Sequence, residues 1–109
     1  MGDVSVRLAE LRDRQPRRVV IDGVHVALVR VGDEVFAVND VCSHAEVSLS
    51  EGEVSDCTIE CWLHGSRFDL RTGEPSGPPA FESIATYPVQ IEGKGDEAVV
   101  LVAVPEEAR

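Results

Sequence analysis

Cysteine is scarce in this chain, with three in 109 residues, and three cysteines do not make a disulfide framework. Basic charge is also short. Ten Lys and Arg face twenty Asp and Glu, and a net charge of −10 with no basic patch disfavours nucleic acid as a partner. Long apolar runs are missing: no stretch approaches a membrane span, and Met1-Gly2-Asp3-Val4-Ser5-Val6-Arg7 lacks the apolar run of a signal peptide. The expectation is a cytoplasmic protein, not bound to a membrane, that meets its partners in solution. There is no internal repeat or low-complexity tract, and the length leaves no room for a second domain.

What is present is a succession of short runs rich in β-branched residues, set between turn signals. Residues 18–21 precede Asp22-Gly23 and then 24–31, and Gly32-Asp33 leads into 35–38. Asp-Gly between two such runs is a hairpin signal. Further runs fall at 53–54, 58–60 and 67–70. A terminal pair at 84–92 and 98–104, joined through Gly93-Lys94-Gly95-Asp96, completes a mostly antiparallel all-β domain. In that pair Tyr87, Val89 and Ile91 alternate with Pro88, Gln90 and Glu92, which predicts one face in a core. Only residues 6–13, with Leu8 and Leu11 three apart, predict a short helical turn.

The chemistry-bearing residues cluster in the middle of the chain. Cys42 and His44 stand in one short stretch and Cys61 and His64 in another, as C-x-H and C-x-x-H separated by 16 residues. Two thiolates and two imidazoles that converge on one point make a metal site. Thiolate with imidazole suits tetrahedral zinc as well as iron–sulfur clusters, so the donor set alone leaves the metal open. The third cysteine, Cys57, reads as a small buried hydrophobe on a strand, with a spare ligand as the alternative. His25, in Val24-His25-Val26-Ala27-Leu28, reads as a strand residue with a satisfied or solvated ring.

The flanking residues narrow the choice. The two segments read Cys42-Ser43-His44-Ala45 and Cys61-Trp62-Leu63-His64-Gly65-Ser66-Arg67-Phe68-Asp69, followed by Thr72-Gly73-Glu74-Pro75 and Gly77-Pro78-Pro79-Ala80. They resemble the Rieske [2Fe-2S] family, and more closely the small ferredoxins that feed electrons to bacterial ring-hydroxylating dioxygenases. The resemblance implies an all-β Rieske-type fold, an antiparallel β-sandwich base with a small inserted cluster-binding subdomain. Residues 1–109 would form a single Rieske domain, with the base at about 1–39 and 83–109 and the subdomain at about 40–82. It further implies one [2Fe-2S] cluster, with one iron on Cys42 and Cys61 and the other on His44 and His64, and a proline-rich loop at 73–80 shielding it.

Neutral imidazoles in place of anionic thiolates leave less negative charge at the site, so an added electron meets less repulsion. Rieske centres accordingly span about −150 to +300 mV against about −400 mV for plant-type ferredoxins. High-potential members carry an additional cysteine in each loop, joined as a disulfide; the matching positions here are Val47 and Leu63. They also donate hydrogen bonds to the cluster from a serine and a tyrosine. Ser66 is present, but Phe68 occupies the tyrosine position. A hydrogen bond to a charged acceptor contributes roughly 1.5–3 kcal/mol, so losing one lowers the potential by on the order of 60–130 mV, toward the low end of the range. Two positions depart from the ferredoxin pattern, Trp62 where proline is usual and Ser66 where glycine is frequent. Trp62 reads equally as a docking contact and as a ring that keeps water from the cluster.

The resemblance implies a one-electron carrier from an NAD(P)H-dependent flavin reductase to a terminal non-haem iron oxygenase, acting as a monomer. Catalytic Rieske oxygenases hold a second iron in a 2-His-1-carboxylate triad, and once His44 and His64 are used only His25 remains, so the chain is not itself an enzyme. Charge adds a constraint on partners: residues 39–80 hold eight acidic side chains, Asp40, Glu46, Glu51, Glu53, Asp56, Glu60, Asp69 and Glu74, against Arg67 and Arg71. Such a field steers a protein toward basic patches, with simple solubility as its other reading. Three alternatives stand beside this one: a carrier linked to iron–sulfur cluster assembly, a nitrite-reductase-like small subunit, and a zinc-stabilised interaction module.

Overall fold

The computed structural model describes residues 2–21, 23–41, 48–61, 67–75 and 83–104. Among the described residues, ten strands fall into three antiparallel sheets. β1 (Gly2–Arg7), β10 (Val99–Val104) and β9 (Val89–Glu92) form the first, in the order β1-β10-β9. β2 (Arg17–Ile21), β3 (Val24–Val31), β4 (Glu34–Asn39) and β8 (Thr86–Tyr87) form the second, in chain order. β5 (Val54–Ser55), β6 (Thr58–Glu60) and β7 (Arg67–Asp69) form the third. The all-β expectation holds.

The second sheet is the middle layer, and β3 shows why its sequence is apolar at nearly every position. Val24, Val26 and Leu28 point into a core shared with Val100, Val102 and Val104 of β10. Ala27 and Val29, on the opposite face, join Val38 of β4 in a second core with Leu49, Ile59, Cys61, Phe68, Leu70 and Ile84. A strand buried on both faces loses the period-2 alternation of a half-exposed one. Both hairpins of this sheet follow their turn signals. Ile21 pairs with Val24 and Val31 with Glu34, each across two residues, with Gly23 at φ +84° and Gly32 at φ +62°.

One expectation holds in part and one is corrected. The short helical turn expected within 6–13 is a 3-10 turn at Leu8–Glu10, closed by the Leu11 N–H on the Leu8 carbonyl at 3.0 Å, whereas Val6 and Arg7 belong to the strand Gly2–Arg7 paired with β10. The run at 84–92 is not one strand. Thr86 and Tyr87 pair with β4 in the middle sheet, whereas residues 89–92 pair with β10. Pro88, with no N–H to donate, stands where the chain changes sheets. Tyr87 and Val89 reach the first core as expected, but Ile91 is exposed.

The segment after the first 3-10 turn is tied to the β3–β4 turn by side chains. Arg30 donates from Nη1 to the carbonyls of Leu8 and Leu11, each at 3.3 Å, and Asp13 Oδ1 accepts the Gly32 N–H at 2.8 Å. That backbone hydrogen bond, with Arg14 and Arg30 nearby, holds the Asp13 carboxyl below its ordinary value of 3.8. A native value below the unfolded one makes Asp13 stabilising above pH 3.8, an effect lost as pH falls through the native value. Asp13→Ala should therefore melt at lower temperature than the parent at pH 7, with the gap closing in acid. A gap that persists unchanged at pH 2 would assign the loss to packing.

Candidate metal centre

Backbone pairing closes three necks at the edge of the second core, each flanking residues outside the described ones. The first flanks 42–47: Val41 and Ser48 bridge, and the Asp40 carbonyl accepts the Leu49 N–H at 2.6 Å. The second follows β6. Glu60 pairs with Arg67 across the hairpin, and their side chains form an ion pair at 3.3 Å. At the third neck, around 76–82, Phe68 bridges Pro75 and the Ile84 N–H donates to the Gly73 carbonyl at 2.8 Å. Leu49, Cys61, Phe68 and Ile84, one or more at each neck, are all buried in the same core.

Of the four expected ligands the structure describes Cys61. Its side chain is fully buried at the end of β6 among Ile59, Phe68 and Leu70, and it is a free thiol. Cys42, His44 and His64 lie outside the described residues, as do Val47, Trp62, Leu63, Ser66, Glu46 and most of the proline-rich loop. A buried unpaired thiol at the mouth of a pinned hairpin suits a metal thiolate screened from water, and the Cys₂His₂ donor set fits a Rieske-type cluster. Phe68 is fully buried in the core, a packing ring with no donor to offer.

Cys57 differs in kind. It sits in the β5–β6 turn, where Asp56 takes φ +54° and reverses the chain, and not on a strand as expected. Its side chain is half-buried against the second core, which agrees with the small-hydrophobe reading. Burial pushes its thiol pKa up, Asp69 and Glu34 add to the shift and Arg71 opposes it, so the thiol stays protonated. His25 is exposed on β3. Among the described residues no three His, Cys, Asp or Glu side chains gather as a further metal site.

The acidic field is thinner than its sequence count. Asp40 is fully buried and leaves the rim; Glu60 is paired with Arg67, and the Asp69 carboxylate accepts the Arg71 N–H at 2.7 Å. Among the described residues of this half, Glu51, Glu53, Asp56 and Glu74 are exposed. The sequence signals missed here are the buried Asp40 and two glycines. A Cβ on Gly52 would lie 1.7 Å from the Glu60 carbonyl oxygen, and one on Gly73 would lie 2.0 Å from that of Ile84. The first contact lies at the open end of the β5–β6 hairpin and the second closes the third neck.

The model of the Rieske [2Fe-2S] domain family matches residues 4–88. The chain belongs to that family, and it carries a Rieske-type [2Fe-2S] cluster. Its relatives make the assignment narrower. It is 42% identical over 82 residues to the anthranilate 1,2-dioxygenase ferredoxin subunit of Burkholderia cepacia, covering 75% of this chain and 76% of that protein. The ferredoxin of carbazole 1,9a-dioxygenase from Nocardioides aromaticivorans IC177 superposes with a TM-score of 0.85 at 37% identity, over 94% of this chain and 98% of that one. A ferredoxin solved in complex with the reduced oxygenase of carbazole 1,9a-dioxygenase matches at a TM-score of 0.77 and 33% identity, over 90% and 91%. The chain is thus a Rieske ferredoxin, an electron-transfer protein and not a catalyst. A family match across residues 4–88 leaves the zinc-module alternative without support.

Proposed function

We propose that Cys42 and Cys61 hold one iron of the cluster and His44 and His64 the other, within a cluster-binding insertion at about 40–82. The chain then passes single electrons from an NAD(P)H-dependent flavin reductase to the terminal oxygenase of a ring-hydroxylating system, as a cytoplasmic monomer. The observation that carries this reading is the buried free thiol of Cys61 at the head of a hairpin pinned by Glu60 and Arg67. Its ferredoxin relatives, one of them seen docked on its oxygenase, supply the partner class. When bound, the cluster supplies one-electron chemistry. The protein's own residues exclude water from Cys61 and hold the loop necks still, so little rearrangement accompanies a change in charge. Among the described residues no helix is long and apolar enough to cross a membrane.

A shuttle must leave one partner to reach the next, so each encounter should be weak and brief. Exposed Glu51, Glu53, Asp56 and Glu74 favour a basic docking face on either partner. The test is reconstitution with the reductase and oxygenase of a ring-hydroxylating dioxygenase system. Adding this protein should restore substrate-dependent NAD(P)H oxidation. The second-order reduction rate should fall by roughly tenfold or more as salt rises past about 0.1 M, where the Debye length shrinks below about 10 Å. Failure to accept electrons from any such reductase would remove the shuttle reading; a rate indifferent to salt would remove the steering.

A further inference from the structure

Asp40 is the one charged side chain that is fully buried among the described residues. It stands between β4 and Cys42, and every polar group it has but one is engaged. Its N–H donates to the His25 carbonyl at 2.9 Å, and its carbonyl accepts the Leu49 N–H at 2.6 Å. Oδ1 accepts the Ser50 N–H at 2.7 Å, whereas Oδ2 has no hydrogen-bond partner among the described residues. Leu49 and Ser50 open the 3-10 turn Leu49–Glu51 on the far side of the first loop, and its own N-cap residue, Ser48, makes no side-chain cap. Asp40 therefore caps that turn from across the loop, supplying the acceptor its first N–H groups lack.

A carboxyl and a carboxamide oxygen can each accept this Ser50 N–H, so the cap is tested by keeping or removing the acceptor. One residue, Val41, separates Asp40 from Cys42, which sets the cap at the base of the segment that carries Cys42 and His44.

We propose that Asp40 is a positioning residue of the metal centre. Its backbone and Oδ1 clamp the neck of the segment that carries Cys42 and His44. The inference rests on the reading of Cys42 and His44 as ligands, and the parental protein tests that reading separately. A parent without two irons and a Rieske signal with average g below 2 in the reduced state would sink the ligand assignment, whatever Asp40 does.

With that signal in hand, Asp40→Asn and Asp40→Ala are compared in the full chain by iron content, paramagnetic resonance and amide hydrogen exchange. Asp40→Asn keeps the acceptor and should retain full iron, the parental spectrum and parental exchange at Leu49 and Ser50. Asp40→Ala removes the acceptor, so the Leu49 and Ser50 amides should exchange roughly tenfold faster or more and the reduced spectrum should broaden. Exchange at Val26 and Val100, in the two facing sheets, should stay parental. Faster exchange at Leu49 and Ser50 in Asp40→Asn overturns the acceptor role of Oδ1. Parental protection and spectrum in Asp40→Ala overturn the clamp, as does faster exchange across both sheets, which would make Asp40 a residue of the fold at large.

Discussion

Cys61→Ser should purify without its cluster. The parental protein should contain two irons and two sulfides; the variant should contain almost none and give no Rieske signal after reduction. Serine keeps the size of the side chain but offers a hydroxyl in place of a soft thiolate, and soft thiolate ligands are what select iron–sulfur clusters. The position is fully buried between Ile59 and Phe68, so no water or neighbouring chain can take over the vacated bond. A buried hydroxyl without a partner costs about 1–3 kcal/mol more, which loosens the hairpin further. Cys57→Ser is the matched control, since Cys57 lies in the β5–β6 turn with its thiol protonated. It should keep a full cluster. Iron retained in the first variant, or lost in the second, would mean the ligand assignment is wrong.

Gly73→Ala should be strongly destabilising. Gly73 has φ +80°, where an L side chain is strained, and its new Cβ would lie 2.0 Å from the Ile84 carbonyl oxygen. Ile84 in turn donates its N–H to the Gly73 carbonyl, so neither backbone can retreat without opening the third neck. Backbone strain of about 1–3 kcal/mol and overpacking of about 1–3 kcal/mol together predict a loss of roughly 2–6 kcal/mol. Gly23→Ala separates the two causes. Its φ is +84°, but nothing lies within 4 Å of the added Cβ, so it should lose the strain part alone. Equal urea midpoints for the two variants would show that the close approach to Ile84 carries no weight.

The hairpins were legible because their determinants are local. Asp22-Gly23 and Gly32-Asp33 sit between β-branched runs, and the register that follows pairs Ile21 with Val24 and Val31 with Glu34. Where the reading failed, the determinant was distant. β1 is a strand because β10 offers it an edge, and nothing in residues 2–7 alone says so. The run at 84–92 is divided between sheets because Pro88 interrupts it and different neighbours claim its halves, so Ile91 alternates correctly and is still exposed.

Charge shows the same division. Counted along the chain, Asp40 and Glu60 belong with Glu51, Glu53 and Asp56. In the folded protein Asp40 is sealed in the interior, Glu60 is matched to Arg67, and the remaining three face solvent. Arg71 reaches from the third sheet to Glu34 at 3.8 Å and lies over the Phe36 ring, 5.6 Å from its centre. That attachment of the third sheet to β4 has no sequence signature.

The sequence by itself determined the family: two Cys and two His in C-x-H and C-x-x-H spacing, which we propose as the ligands, with Rieske-like flanks and only one further histidine. Residue identity and short spacing are covalent facts that survive unfolding. Only the tertiary structure decided which groups surround that chemistry. It buried Cys61 and Asp40, closed the three loop necks on one core, and brought Gly52 against Glu60 and Gly73 against Ile84. Those contacts exist because two faces of one middle sheet are covered by segments far apart in the chain, and burial is a property of that packing and not of any residue alone.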